Sequence, residues 1–170
     1  MKLDLACGPY CAEGFDGVDY RPLEGVVHVV DLTVYPWPWP SESVEALRCS
    51  HYVEHVIDLV AFMNEAHRVL VPGGSLEIVH PYQHSDRAWQ DPTHVRALNL
   101  KSWDYYNASE IRELGHEYDT ITADFEVIER DAIISPDLAA QYPGGVPDWM
   151  IVHCVNVIND VRVLLKKRGS

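Results

Sequence analysis

The chain has 170 residues, 47% of them hydrophobic, and a formal net charge of −13. That length suits one domain with one core, residues 1–170, and the negative field disfavours nucleic acid as a partner because phosphate backbones repel it. No apolar run approaches the roughly 18 residues of a membrane span, and strand-like sequence begins at Lys2 with no basic-then-apolar leader, so a cytoplasmic location is expected.

In chain order, strands are predicted over Leu3–Ala6, Phe15–Asp19, Val26–Val30, Val44–Cys49 and Ser75–Val79. The first, fourth and fifth are apolar, as central strands of a covered parallel sheet should be. Leu59, Phe62, Met63, Ala66, Val69 and Leu70 form a helical stripe over Leu59–Leu70, with Asp58 as its cap or first-turn acid. Pro72-Gly73-Gly74 then turns the chain into the fifth strand. Only about eight residues, Cys7 to Gly14, separate the first two strands, too short for a crossover helix, which needs about ten residues or more. The first crossover helix is therefore reduced or absent. Tyr82–Asn107 is irregular and aromatic. Asp124–Ile134 and Val157–Leu165 read as two further strands, with a Pro- and Gly-bearing loop or lid over Ser135–Asp148 between them.

Leu3-Asp4-Leu5-Ala6-Cys7-Gly8-Pro9 runs a strand into a small-residue turn, where backbone can approach a ligand closely. The second strand ends in Asp19, and Asp31-Leu32 follows the third. The Gly-x-Gly-x-x-Gly dinucleotide fingerprint is absent. Further on stand Pro36-Trp37-Pro38-Trp39-Pro40 before Ser43-Val44-Glu45, Ser50-His51-Tyr52-Val53-Glu54-His55, and Glu65-Ala66-His67-Arg68-Val69-Leu70-Val71-Pro72-Gly73-Gly74. In this order the segments resemble the class I S-adenosylmethionine-dependent methyltransferases. They are most similar to a compact subfamily that begins at the first strand. The resemblance implies an α/β, Rossmann-like sheet, mostly parallel, with an antiparallel C-terminal edge strand.

It also implies roles. The cofactor is S-adenosylmethionine. Asp19 accepts from the ribose hydroxyls, Asp31 from the adenine amino group, and the Leu32 amide lies near the ring. Asp4 is expected near the methionine ammonium, Ala6, Cys7 and Gly8 along the turn, and the Ser50 and His51 backbone beside the methionine portion. On the acceptor side His55, His84, Arg87, Asp91 and His94 are candidates, the last within Asp91-Pro92-Thr93-His94. His51 and His94 are the candidate general bases, since imidazole titrates near neutral pH.

His51-x-x-Glu54-His55 matches a zinc-protease signature, but that motif needs a helix and a third ligand, and here it follows a strand. No bound metal is expected. Cys7, Cys11, Cys49 and Cys154 contain no Cys-x-x-Cys pair, and Cys7 and Cys49, at the ends of predicted strands, are expected to be small buried residues. Most of Trp37, Trp39, Trp89, Trp103, Tyr105 and Tyr106 are expected to pack rather than stack a ligand, and Lys166-Lys167-Arg168 reads as a solvated tail.

The function expected is methyl transfer to a small-molecule or glycan-type acceptor, with a homodimer left open. The rivals are a non-catalytic nucleoside-binding domain, a nicotinamide-linked oxidoreductase, and an enzyme using the same cofactor for another reaction such as its cleavage.

Overall fold

The computed structural model describes residues 1–113 and 119–169. Seven strands form one sheet: β1 Lys2–Leu5, β2 Asp16–Asp19, β3 Val26–Val29, β4 Val44–Ser50, β5 Leu70–Pro81, β6 Phe125–Ile134 and β7 Ile158–Lys167. Their spatial order is β3-β2-β1-β4-β5-β7-β6. The β1–β5 pairings are parallel, and β7 runs antiparallel to both β5 and β6. The C-terminal strand is thus the antiparallel one, inserted beside β5 so that β6 takes the edge.

The helices are α1 Leu59–Val69, α2 Ala108–Glu113, α3 Pro136–Gln141 and α4 Asp148–His153. The first crossover carries no helix, as its length requires, and neither do the links from β2 to β3 and from β3 to β4. Asp58 caps α1 by accepting from the Ala61 amide at 2.9 Å. The helix stops one residue before Leu70. Pro72-Gly73-Gly74 is not a free turn but a bulge within β5, where the register against β4 jumps from Leu70 to Ser75. The expected loop over Ser135–Asp148 contains α3, with Pro136 at its start.

Alternation sorts the sheet into two unlike faces. Leu3, Leu5, Leu47, Cys49, Leu76, Ile78, Val163 and Leu165 lie in register on one face and are buried. The core joins them to Phe62, Met63, Ala66 and Val69 of α1, and to Trp37 and Trp39 of the β3–β4 link. Trp37 packs edge-on against Phe62, with ring centroids 5.4 Å apart. Its amide donates to the buried Glu65 carboxylate at 2.6 Å, which also pairs with Arg68. The opposite face carries Asp4, Arg48, Glu77, Arg162, Glu129 and Asp131, so the strands are not apolar on both sides as the sequence suggested. Their contacts form one ionic chain. Arg48 reaches Asp4 at 3.1 Å and Glu77 at 3.4 Å, and Arg162 reaches Glu77, Glu129 and Asp131 at 2.7, 2.8 and 2.9 Å.

One other expectation needs correcting. Lys166-Lys167-Arg168 is not a solvated tail. Lys167 is buried at the end of β7, and its ammonium donates to the Leu70 carbonyl at 2.8 Å. Among the aromatics, Trp37, Trp39, Trp103 and Tyr106 are core residues, whereas Trp89 and Tyr105 are exposed.

Candidate functional site

Two cavities open at the carboxyl ends of the strands, on either side of the β1/β4 boundary where the strand order reverses. Parallel α/β sheets bind ligands at such a switch point. At both strands that meet there the chain leaves through a non-glycine residue with left-handed backbone, Ala6 at φ +52° and His51 at φ +53°. This conformation costs an L-residue roughly 1–2 kcal/mol, and among the described non-glycine residues Glu42 and Asn156 share it away from these two cavities.

The first cavity, about 170 Å³, is lined by Ala6, Asp19, Tyr20, Val30, Asp31, Leu32, Thr33 and Tyr52. Its walls are largely apolar, with two carboxylates at the ends of adjacent strands. Asp19 is buried and tightly held. One carboxylate oxygen accepts from the Gly8 amide at 3.1 Å, and the other from the Arg21 amide and guanidinium at 2.9 and 3.2 Å. Gly8 has left-handed backbone, φ +56°, and an added Cβ there would meet no protein atom. The demand for glycine is therefore conformational, and it aims the amide at Asp19. Asp31 accepts from both the amide and the hydroxyl of Thr33, at 2.9 and 2.6 Å, which hold its carboxyl below the usual range and keep it ionised.

Of the cofactor candidates, Ala6, Asp19, Asp31 and Leu32 meet in this cavity. Cys7 lies in the turn after β1 and is not part of the lining. Burial pushes its thiol up to about 11, helped by the negative charges nearby, so it is no reactive thiolate. Asp4 is committed elsewhere. It is buried on the polar face, bound to Arg48 and to the Ala12 amide at 2.8 Å, and so anchors the β1–β2 turn. Ser50 ends β4 on the same strand end as His51. The sequence reading missed Tyr20, Val30, Thr33 and Tyr52. Tyr20 and Tyr52 follow directly on Asp19 and His51, and adjacency to those two was the available signal.

The second cavity, about 230 Å³, is lined by His51, Glu54, His55, Pro81, Arg87, Gln90, Asp91 and His94. It gathers His51, His55, Arg87, Asp91 and His94 from separate stretches of sequence. His84 is not among them: it is exposed outside the cavity, beside Gln83 and Tyr82. The segment after β5 is pinned so that its side chains face β4. Thr93 donates its hydroxyl to Asp91 at 2.7 Å, and the Val95 amide bonds to the Glu54 carbonyl at 2.9 Å. His94 is held by a bond between Nδ1 and the Ala88 carbonyl at 3.0 Å, and Arg87 pairs with Asp160 at 3.2 Å. The sequence reading left out Glu54, Pro81 and Gln90, although Glu54 stood in its His-x-x-Glu-His string.

A methyltransferase-domain family model matches residues 17–78, a stretch that runs from within β2 into β5 and includes α1. Among solved structures, the YcgJ protein of Bacillus subtilis matches at a TM-score of 0.59 and 17% identity, over 99% of this chain and 92% of that one. A SAM-dependent methyltransferase of Archaeoglobus fulgidus matches at 0.62 and 16%, over 98% and 85%. Residues 17–78 thus carry a methyltransferase-domain pattern, and the chain shares the fold of these proteins along nearly its whole length. The same fold also carries other chemistry: the [4+2]-cyclase SpnF matches at 0.58 and 16%, over 99% and 74%. No curated sequence matches the chain.

Proposed function

We propose that the chain transfers the methyl group of S-adenosylmethionine to a small-molecule or glycan-type hydroxyl acceptor held in the histidine-lined cavity. One observation carries this reading: a buried acceptor carboxylate, Asp19, in an apolar cavity that shares a strand end with a polar cavity. The donor set fits a nucleoside. Asp19 is fixed by three protein donors and retains lone pairs for a ribose diol, while Val30, Leu32 and Tyr52 offer apolar surface to a planar ring.

When bound, the cofactor supplies an electrophilic sulfonium methyl. The chain's own task is placement. The abrupt turns at Ala6 and His51 bring backbone to both cavities, and adjacent residues Tyr52 and His51 line one each. Arg87 and Gln90 offer donors to an acceptor's oxygens, and His51 and His94 are the side chains best placed to meet the reacting hydroxyl. A cytoplasmic setting and a single domain over residues 1–170 complete the reading. Among the described residues no helix is long and apolar enough to cross a membrane.

The test is label transfer from methyl-tritiated S-adenosylmethionine to a panel of hydroxylated acceptors. His51→Gln should lower turnover far more than cofactor affinity. Cofactor binding with no label transfer across the panel would instead favour a non-catalytic binding domain or, if the cofactor is consumed, its cleavage.

A further inference from the structure

The polar cavity holds an arrangement that methyl transfer does not by itself require. Glu54, His55 and His94 each turn one ligand atom toward the others, all within 4.8 Å. The two imidazole rings stand edge to face with centroids 4.6 Å apart. Glu54 is 3% exposed, and one of its carboxylate oxygens is buried with no hydrogen-bond partner. The other lies 3.5 Å from His51 Nδ1. A carboxylate with a bare oxygen inside a protein costs free energy unless something positive completes it.

The hydrogen bonds around the histidines settle which nitrogen is free. The Ala88 carbonyl can only accept, so His94 donates from Nδ1, and the neutral ring carries its lone pair on Nε2, which lies 3.9 Å from the Asp91 carboxylate. The Thr93 hydroxyl sends its proton to Asp91, so at 2.9 Å it accepts from His55 Nδ1, and His55 Nε2 is likewise a lone pair. Metal-bound histidines are oriented this way, with the second ring nitrogen donating to a carbonyl, or to a carboxylate directly or by relay.

We propose that Glu54, His55 and His94 bind one divalent first-row transition-metal ion in this cavity. Two imidazoles and one carboxylate suit zinc, iron(II), cobalt(II) or manganese(II), and are too nitrogen-rich for magnesium or calcium. Bond lengths near 2.0–2.2 Å require the three ligand atoms to close from their present spacing. The half-exposed His55 and the unpartnered Glu54 oxygen leave room for that. The remaining coordination positions face the cavity, where Arg87 and Gln90 also point, so an acceptor oxygen would bind beside the ion and be polarised by it. Only this last consequence rests on the methyl-transfer reading. The site reverses the sequence expectation of no metal and leaves His51, not His94, as the free imidazole.

The test uses the full chain, stripped with a chelator, dialysed, and titrated with Co²⁺ while its visible absorption is read. The expected result is one equivalent bound, displaced by Zn²⁺. His55→Gln and His94→Gln should each weaken binding by more than the roughly 10- to 100-fold that loss of an outer-shell partner costs. Thr93→Ala should weaken it by about tenfold through the freed His55 ring. His153→Gln, exposed on α4, should change nothing. Circular dichroism and a melting curve establish that each variant is folded. If Glu54→Gln unfolds, the half-exposed His55 carries the test. Absence of stoichiometric Co²⁺ and Zn²⁺ binding by the unmodified chain, or unchanged binding in folded His55→Gln and His94→Gln, overturns the proposal. Neither result depends on cofactor binding.

Discussion

The two faces of the sheet solve different problems. On the face beneath α1, eight residues from β1, β4, β5 and β7 are buried and apolar. On the other, Asp4, Arg48, Glu77, Arg162, Glu129 and Asp131 run in alternating contact across five strands, and Arg48, Glu77 and Arg162 are each about one-third exposed or less. The difference follows from the links. The three connections between β1 and β4 carry no helix, so no amphipathic stripe comes from them to bury an apolar face. A sheet half-wetted on one side keeps polar side chains there, and pairing them across strands avoids like-charge repulsion.

The largest effect should come from the apolar face. Ile78→Ala, at a fully buried position, should destabilise the chain by about 2–5 kcal/mol in urea unfolding, through lost burial and the cavity left behind. A loss under about 1 kcal/mol would mean the α1 side is not the main core.

Next comes the histidine buried on that face. His80 is in line with Leu76 and Ile78. Its Nδ1–H donates to the Pro81 carbonyl at 2.8 Å, and its Nε2 accepts from the Trp103 indole at 3.2 Å. Burial pushes its pKa from 6.5 down to about 4, against the opposing pull of the Pro81 bond and of Glu54. The folded state therefore resists a proton that the unfolded chain accepts. Stability is present above pH ~6.5 and declines as pH falls toward 4, by roughly 3 kcal/mol from this group. Unfolding curves between pH 7 and 4 should show the slope, and His80→Gln should reduce it. An unchanged slope in that variant would place the acid sensitivity elsewhere.

The smallest effect belongs to the polar face. Arg162 touches three carboxylates, which raise its pKa, but its side chain is about one-third exposed and water screens the pairs. Arg162→Met should cost about 1 kcal/mol or less, and the difference from the unmodified chain should shrink in high salt. A salt-independent loss as large as that of Ile78→Ala would erase the distinction between the faces.

Much of this was legible in the sequence. The mostly parallel sheet followed from the resemblance carried by motifs in series, and the missing first crossover from the short chain length between Cys7 and Phe15. The polar face was harder to read. Asp4, Arg48 and Glu77 lie on separate strands, and their pairing depends on register that no local pattern reports. Asp4 was accordingly assigned to the ligand when Arg48 and the Ala12 amide hold it. The strand-end acids located the first cavity, but its tyrosines sat one residue beyond the expected positions. In the second cavity His84 and His94 were both candidates for the acceptor side. Only the fold, through the Ala88 carbonyl and the Val95–Glu54 backbone bond, turns one inward and leaves the other outside.

The central claim is that Asp19 makes the apolar cavity a nucleoside site. Isothermal calorimetry of S-adenosylhomocysteine with the unmodified chain and with Asp19→Ala tests it directly. The unmodified chain should bind, and Asp19→Ala should lose about 1.5–3 kcal/mol, the scale of hydrogen bonds to a charged group. Equal affinity in a folded Asp19→Ala variant, or no binding by the unmodified chain, would contradict the assignment.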